Sequence, residues 1–194
     1  MGDLRNFVFR IRSFTPLPLV GALLYVARPT PLSFGVGLLL MAMGEGIRIW
    51  AVAHIGGASR TRDVGAPYLT TSGPYAYVRN PLYFGNVLLY IGAATLGGEQ
   101  LIWLLPVTFF YFWVQYTLII SLEEEKLVKD YGEKYQEYCK RVPRLFPVKG
   151  YVTPLDERPN DWNGALKSER STFTSITVIL ALMIGYAIWR GQGW

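Results

Sequence analysis

The chain has 194 residues, of which 51% are apolar, 15% aromatic and only 17% charged, with a net charge of +5. A soluble domain carries about 25% charged residues, so an ordinary soluble enzyme is a poor fit, and the length suits one compact membrane bundle with no second large domain. One cysteine (Cys139) and one histidine (His54) exclude a disulfide framework, a cysteine zinc site and a histidine metal cluster, so no metal is expected. Gly-x-Ser-x-Gly, Gly-x-Gly-x-x-Gly and P-loop signatures are also missing. Chemistry must therefore rest on Glu, Asp, Arg, Lys, Tyr and Asn.

Residues 1–13 are basic, with Arg5, Arg10 and Arg12, and an apolar run of 14–27 follows, interrupted by Pro16 and Pro18. The pair resembles a secretory signal, but no small-x-small cleavage site follows, and the run reads as the short first arm of a helical hairpin. Pro29-Thr30-Pro31 makes the turn. Further apolar runs cover 32–55, 82–96, 101–122 and 171–189, with Gly56-Gly57 and Gly97-Gly98 as stops. The expected fold class is all-α: a polytopic membrane helix bundle with about five transmembrane helices, forming a single membrane domain over 1–194.

Segments 1–13, 56–81 and 123–170 hold 16 of the 19 Lys and Arg residues. The positive-inside rule then makes the N-terminus and these segments cytoplasmic and puts the C-terminus on the opposite side. The same basic excess points to anionic lipid at that face and away from nucleic acid. Leu127, Tyr131, Tyr135 and Tyr138 recur at helical spacing, so the fourth helix is expected to continue as a cytoplasmic-face extension. Residues 153–170, rich in Pro, Asp, Asn and Arg, read as a surface loop.

Three clusters can carry chemistry. Glu45 and Arg48 lie three apart inside an apolar helix, where ionisable groups mark either an internal ion pair or a substrate site. Their flanking glycines, Gly44 and Gly46, suit close helix contact. Arg79-Asn80-Pro81 opens the third run, with Asn as an expected helix cap and Pro in the first turn. Free N–H groups there, beside the Arg79 fork, make an anion-binding corner. Glu123-Glu124-Glu125 sits at the end of the fourth run, on the same membrane face. A cationic corner facing an acidic cluster suits a zwitterionic ligand such as an amino-acid moiety.

Read in order, Ser72-Gly73-Pro74-Tyr75, Arg79-Asn80-Pro81-Leu82-Tyr83, Glu123-Glu124-Glu125-Lys126-Leu127, Tyr131-Gly132 with Tyr135 and Tyr138, and Val142-Pro143-Arg144 resemble the integral-membrane methyltransferases. That group includes the isoprenylcysteine carboxyl methyltransferases and the phospholipid N-methyltransferases. The resemblance implies S-adenosyl-L-methionine (SAM) held at the cytoplasmic face by Pro67, Tyr68, Leu69, Thr70, Tyr75, Asn80, Pro81, Leu82, Tyr83 and Arg144. It implies catalytic roles for Glu123, Arg79 and Glu124, and leaves Glu45 and Arg48 as substrate-side residues. The methyl acceptor it implies is the polar head of a lipid-like molecule drawn from the bilayer.

Two departures bear on the acceptor. Asn80 stands where the family usually has His, and Ile119 stands where the prenylcysteine enzymes carry an Arg one turn before the acids. A carboxylate acceptor needs a docking cation, whereas an amine needs an acid beside it. The amine lipid is favoured on that physics, with Arg48, Arg141 or Arg144 as the available substitutes for the absent cation. A sterol-reductase-like NADPH enzyme and a non-enzymatic scaffold with a vestigial pocket are the alternatives.

Overall fold

The computed structural model of the chain describes residues 3–56, 68–98, 103–147, 150–155 and 159–189, and within them the regular structure is all helical. The α-helices are α1 (Leu4–Ile11), α2 (Leu17–Val26), α3 (Pro31–His54), α4 (Pro81–Leu96), α5 (Leu104–Arg141), α6 (Trp162–Ser168) and α7 (Arg170–Trp189). A short 3-10 turn, Gly73–Ala76, precedes α4. Among the described residues, α3 and α5 are long and apolar enough to cross a membrane, and α4 and α7 are apolar but shorter.

The N-terminal region departs from the sequence reading. The basic stretch is itself helical: the Asp3 carboxylate accepts from the Arg5 amide at 3.0 Å and starts α1. Residues 12–16 then turn, and the expected 14–27 arm shrinks to the ten residues of α2, with Pro16 and Pro18 in its opening turn. A further difference lies in 153–170. Asp161 accepts from the Gly164 amide at 2.8 Å and nucleates α6, whose Ala165 is buried against Val52 and Ala53 of α3.

Helices α3 and α4 pack antiparallel through two pairs of glycines. A Cβ on Gly37 would stand 2.7 Å from the Gly92 carbonyl oxygen, and one on Gly44 would stand 2.6 Å from that of Gly85. Gly46, on the other flank of Glu45, faces open space. Backbone contact this close is how small residues join helices where no water drives association. Gly85→Ala would press its methyl on the Gly44 carbonyl and on the Arg48 Cγ, both at 2.7 Å. It should destabilise the bundle by about 1–3 kcal/mol. Thermal unfolding in detergent checks this, and a melting point equal to that of the parent protein would contradict it.

Helix α5 runs 38 residues, or about 57 Å at ~1.5 Å per residue, well beyond a hydrocarbon layer of about 30 Å. Its first part packs with α1 and α4 in a cluster that includes Phe9, Val87, Phe112, Tyr116 and Ile119. The helix continues through the Tyr-rich stretch to Arg141, as the Tyr periodicity anticipates. The C-terminal end of α3, the start of α4, the second half of α5 and α6 thus meet at one end of the bundle.

Candidate functional site

The segment 68–79 threads between these elements and is fastened from two directions. Gly132 breaks the α5 geometry with φ 52° and ψ −127°, a conformation that glycine adopts without steric cost. Beyond this kink Tyr135, Tyr138 and Val142 close over Leu69 in a small core. The Tyr138 hydroxyl donates to the Tyr75 carbonyl at 2.7 Å. From the other side the Leu155 amide donates to Thr71 Oγ1 at 2.9 Å, and the Val152 amide to the Ala76 carbonyl at 3.0 Å. Burial, and then the nearby charge of Glu123, keep the Tyr75 phenol well above its ordinary pKa, so it stays neutral.

Arg79 and the acidic cluster come together at the start of α4. Glu124 forms an ion pair with one guanidinium at each oxygen: Arg79 Nη1 lies 3.2 Å from Oε1 and Arg144 Nε 2.9 Å from Oε2. Arg79 also donates from Nη1 to the Cys139 sulfur, and from its backbone amide to the Pro143 carbonyl at 2.9 Å. The expected role of Asn80 as a helix cap is not what the structure contains. Its side chain makes no capping bond and instead donates from Nδ2 to the Arg144 carbonyl at 2.9 Å. The reason is the proximity of the Val142-Pro143-Arg144 segment, whose carbonyl needs a donor more than the helix needs an acceptor that Asn80 could supply.

Glu123 faces a different neighbour. Its Oε1 accepts from the Tyr83 hydroxyl at 2.8 Å, and the Tyr83 ring packs on Tyr116 with centroids 4.9 Å apart. Glu123 follows directly on the 101–122 apolar run. Burial pushes its carboxyl above the ordinary value, while the Tyr83 bond and the charge of Arg12 pull it down. Glu125 points elsewhere, to Arg5 Nη1 at 2.8 Å, as three consecutive helical positions about 100° apart require.

Glu45 and Arg48 do approach, Oε2 to Nε at 3.5 Å, but the closer partner of Arg48 is one that sequence reading missed. Arg48 Nη2 donates to both oxygens of the fully buried Glu169, at 2.6 and 2.7 Å, and Nη1 donates to Asn86 Oδ1 at 2.6 Å. Glu169 lies at the α6–α7 junction and Asn86 within α4. A polar Asn in an apolar run was a legible signal; an acid 121 residues away from Arg48 was not.

Of the other residues implied for SAM, Pro67 lies outside the described residues. Tyr68 rests its hydroxyl against Gly56, Pro81 is buried, and Leu82 packs beside Val52 and Ala53. Thr70 Oγ1 is buried without a hydrogen-bond partner among the described residues, a donor of the kind a ligand would satisfy. With Asn80 turned away, the α4 N-terminus keeps backbone N–H groups uncapped by its side chain. These donors fit the carboxylate and hydroxyls of a nucleoside–amino-acid cofactor. No group of three or more His, Cys, Asp or Glu placed to hold a metal ion occurs among the described residues.

Residues 32–134 match a family model described as phospholipid methyltransferase. The nickel-cobalt-cadmium resistance protein NccN of Alcaligenes xylosoxydans xylosoxydans is 31% identical over 113 residues, 58% of this chain and 48% of that protein. The protein-S-isoprenylcysteine O-methyltransferase of Schizosaccharomyces pombe is 34% identical over 96 residues, 50% of this chain and 39% of its relative. The chain thus spans about half, or less, of the length of these two relatives. The solved structure of a eukaryotic intramembrane Ras methyltransferase, an isoprenylcysteine carboxyl methyltransferase, superposes with a TM-score of 0.52 at 22% identity. That superposition covers 77% of this chain and 52% of the other, and indicates a shared fold.

Proposed function

Because the chain belongs to the phospholipid methyltransferase family, we propose that it transfers a methyl group from SAM to the polar head of a lipid-like molecule held in the bilayer, at the cytoplasmic face. A phospholipid amine is the favoured acceptor. The observation that supports this reading is Glu123: a buried carboxyl beside the cofactor corner, oriented by Tyr83 and placed directly after the apolar run of α5.

SAM, when bound, supplies an electrophilic methyl group. The uncapped N–H groups at Asn80–Tyr83, with Arg79 beside them, would hold its carboxylate, and Thr70 and Tyr75 would face its nucleoside. Glu124 holds Arg79 and Arg144 in place and so sets the corner's geometry rather than touching the acceptor. Glu123 would orient the acceptor ammonium and take its proton, leaving the amine lone pair free to attack. Tyr131, Tyr135 and Tyr138, packed around Leu69, would limit water there, and alignment of the reacting atoms is worth up to about 7–11 kcal/mol. Arg48, engaged by Glu169, anchors α7 in this reading and is not a substrate cation; Glu45 shares that anchor.

A prenylcysteine-type carboxylate acceptor is the second reading, favoured by the 34% identity to the Schizosaccharomyces pombe enzyme. Incubating the purified protein with methyl-labelled SAM and a total lipid extract, followed by mass spectrometry, tests both. Label on an amine phospholipid supports the first and label on a carboxylate the second. Absence of labelled lipid refutes methyl transfer to lipids.

A further inference from the structure

The outward edge of α3 is apolar and regular. Leu32, Val36, Leu39 and Met43 are exposed and stand three or four residues apart, and the same register reaches Trp50 two turns later. Trp50 lies about 28 Å along the helix from Pro31 at ~1.5 Å per residue, close to one hydrocarbon thickness of about 30 Å. At that level the edge changes from aliphatic to aromatic, and rings from three other segments converge on it. Tyr77, from the 68–79 segment, stands 6.2 Å from Trp50 between ring centroids, and Tyr151 stands 5.6 Å from Tyr77. His54 meets Trp50 edge-on at 6.2 Å and Trp162 of α6 at 6.4 Å. Its Nδ1 lies 2.9 Å from the Trp50 carbonyl oxygen.

These contacts leave much of the ring surface uncovered: Tyr77 is 36%, Trp162 49% and Tyr151 56% exposed. Leu166, one turn after Trp162, is exposed as well, while Ala165 is buried against α3. Helix α6 thus grips the bundle with one edge and shows an apolar edge outward. Contiguous exposed apolar surface marks an interaction site. Water covers such rings poorly, and hydrocarbon gives no partner to an indole N–H or a phenol; the head-group layer of a bilayer suits both ends of these side chains. We propose that Trp50, Tyr77, Tyr151 and Trp162 form an aromatic docking surface for that layer, which seats the 68–79 segment, residues 150–155 and α6 on the membrane where α3 leaves it. Continuity identifies the occupant, because the patch extends the outward edge of a helix long and apolar enough to cross the membrane. The docked pieces also fasten one another: the Val152 amide donates to the Ala76 carbonyl at 3.0 Å and the Asp161 amide to the Ala53 carbonyl at 2.9 Å. The inference does not depend on methyl transfer or on its acceptor.

Depth-dependent quenching tests it. The protein is reconstituted into phosphatidylcholine vesicles that carry a nitroxide either on the head group or near the end of an acyl chain, and the emission lost in Trp162→Phe isolates Trp162. The head-group nitroxide should quench that emission at least about twofold more than the deep one. Tyr151→Trp, made in the Trp162→Phe background, should add emission with the same preference. Stronger quenching by the deep nitroxide would place the patch in hydrocarbon. Quenching by aqueous iodide but by neither lipid probe would place it in water. Insensitivity to all three would mean that protein, such as a second copy of the chain, covers it. Each of these results overturns the assignment, as does a Tyr151→Trp emission whose depth disagrees with that of Trp162.

Discussion

Glu123→Gln should lower methyl transfer by about 10²–10⁴-fold while SAM affinity, measured by calorimetry, stays within about twofold. Gln keeps an oxygen to accept from Tyr83, so the local geometry survives and only the proton acceptor is lost. The pH dependence sharpens the test. Burial raises the Glu123 carboxyl above its ordinary value, so the neutral acid persists to higher pH than in a free glutamate, whose pKa is about 4.3. A rate that needs the carboxylate then falls as pH drops through this raised value, giving an acid limb that Glu123→Gln removes. The linkage sign separates catalysis from folding. A carboxyl that holds its proton more tightly when folded loses stability as pH rises past its unfolded pKa. The Gln variant should therefore melt no lower than the parent at neutral pH. Equal losses of turnover and SAM binding would move Glu123 from the acceptor to the cofactor.

Arg48→Met should be the most damaging single change to stability, about 3–5 kcal/mol. Arg48 is the cation shared by Glu45, 4% exposed, and Glu169, 0% exposed. Removing it strands two acids in a water-poor interior, each of which must then protonate or find another donor. Glu169→Gln is milder, about 1.5–3 kcal/mol for the charged hydrogen bonds weakened, because Arg48 still has Glu45 at 3.5 Å. Denaturant unfolding of both variants in the same detergent measures the asymmetry. An equal or reversed order would show that Glu45 carries no share of the charge.

The bundle and the site differ in how far the amino-acid sequence discloses them. Apolar runs and glycine or proline stops locate α3, α4, α5 and α7 to within a few residues, because span length and hydropathy are local properties. The meeting of Arg79 with Glu124 is also legible, since charges that flank apolar runs on one face have few places to go, whereas the turn of Glu123 toward Tyr83 is not. What local pattern cannot encode is partner choice. Asn80 was expected to cap its own helix and serves the Arg144 carbonyl; Arg48 was expected to pair with Glu45 three residues away and takes Glu169 at shorter range. In both cases a group distant along the chain offers better geometry than the neighbour does. The α1 helix is hidden for another reason: three arginines in thirteen residues read as a basic flank of the apolar run, until the Asp3 cap and the burial of Phe9 are seen.

If Glu123 serves the proposed methyl transfer, the unbroken passage of α5 from Leu104 to its kink at Gly132 makes bilayer thickness a variable of that reaction. Glu123 rides on the same rod as the apolar residues that precede it, so the rod's seating in a thicker or thinner leaflet would raise or lower the carboxyl relative to the head groups of the proposed acceptor. Mismatch is relieved by tilt at fractions of a kcal/mol per Å, enough to shift an alignment without unfolding anything. Vesicles made from lipids of graded acyl length should accordingly give a peaked profile of turnover with chain length, and a flat profile would indicate that substrate depth adjusts independently of the helix.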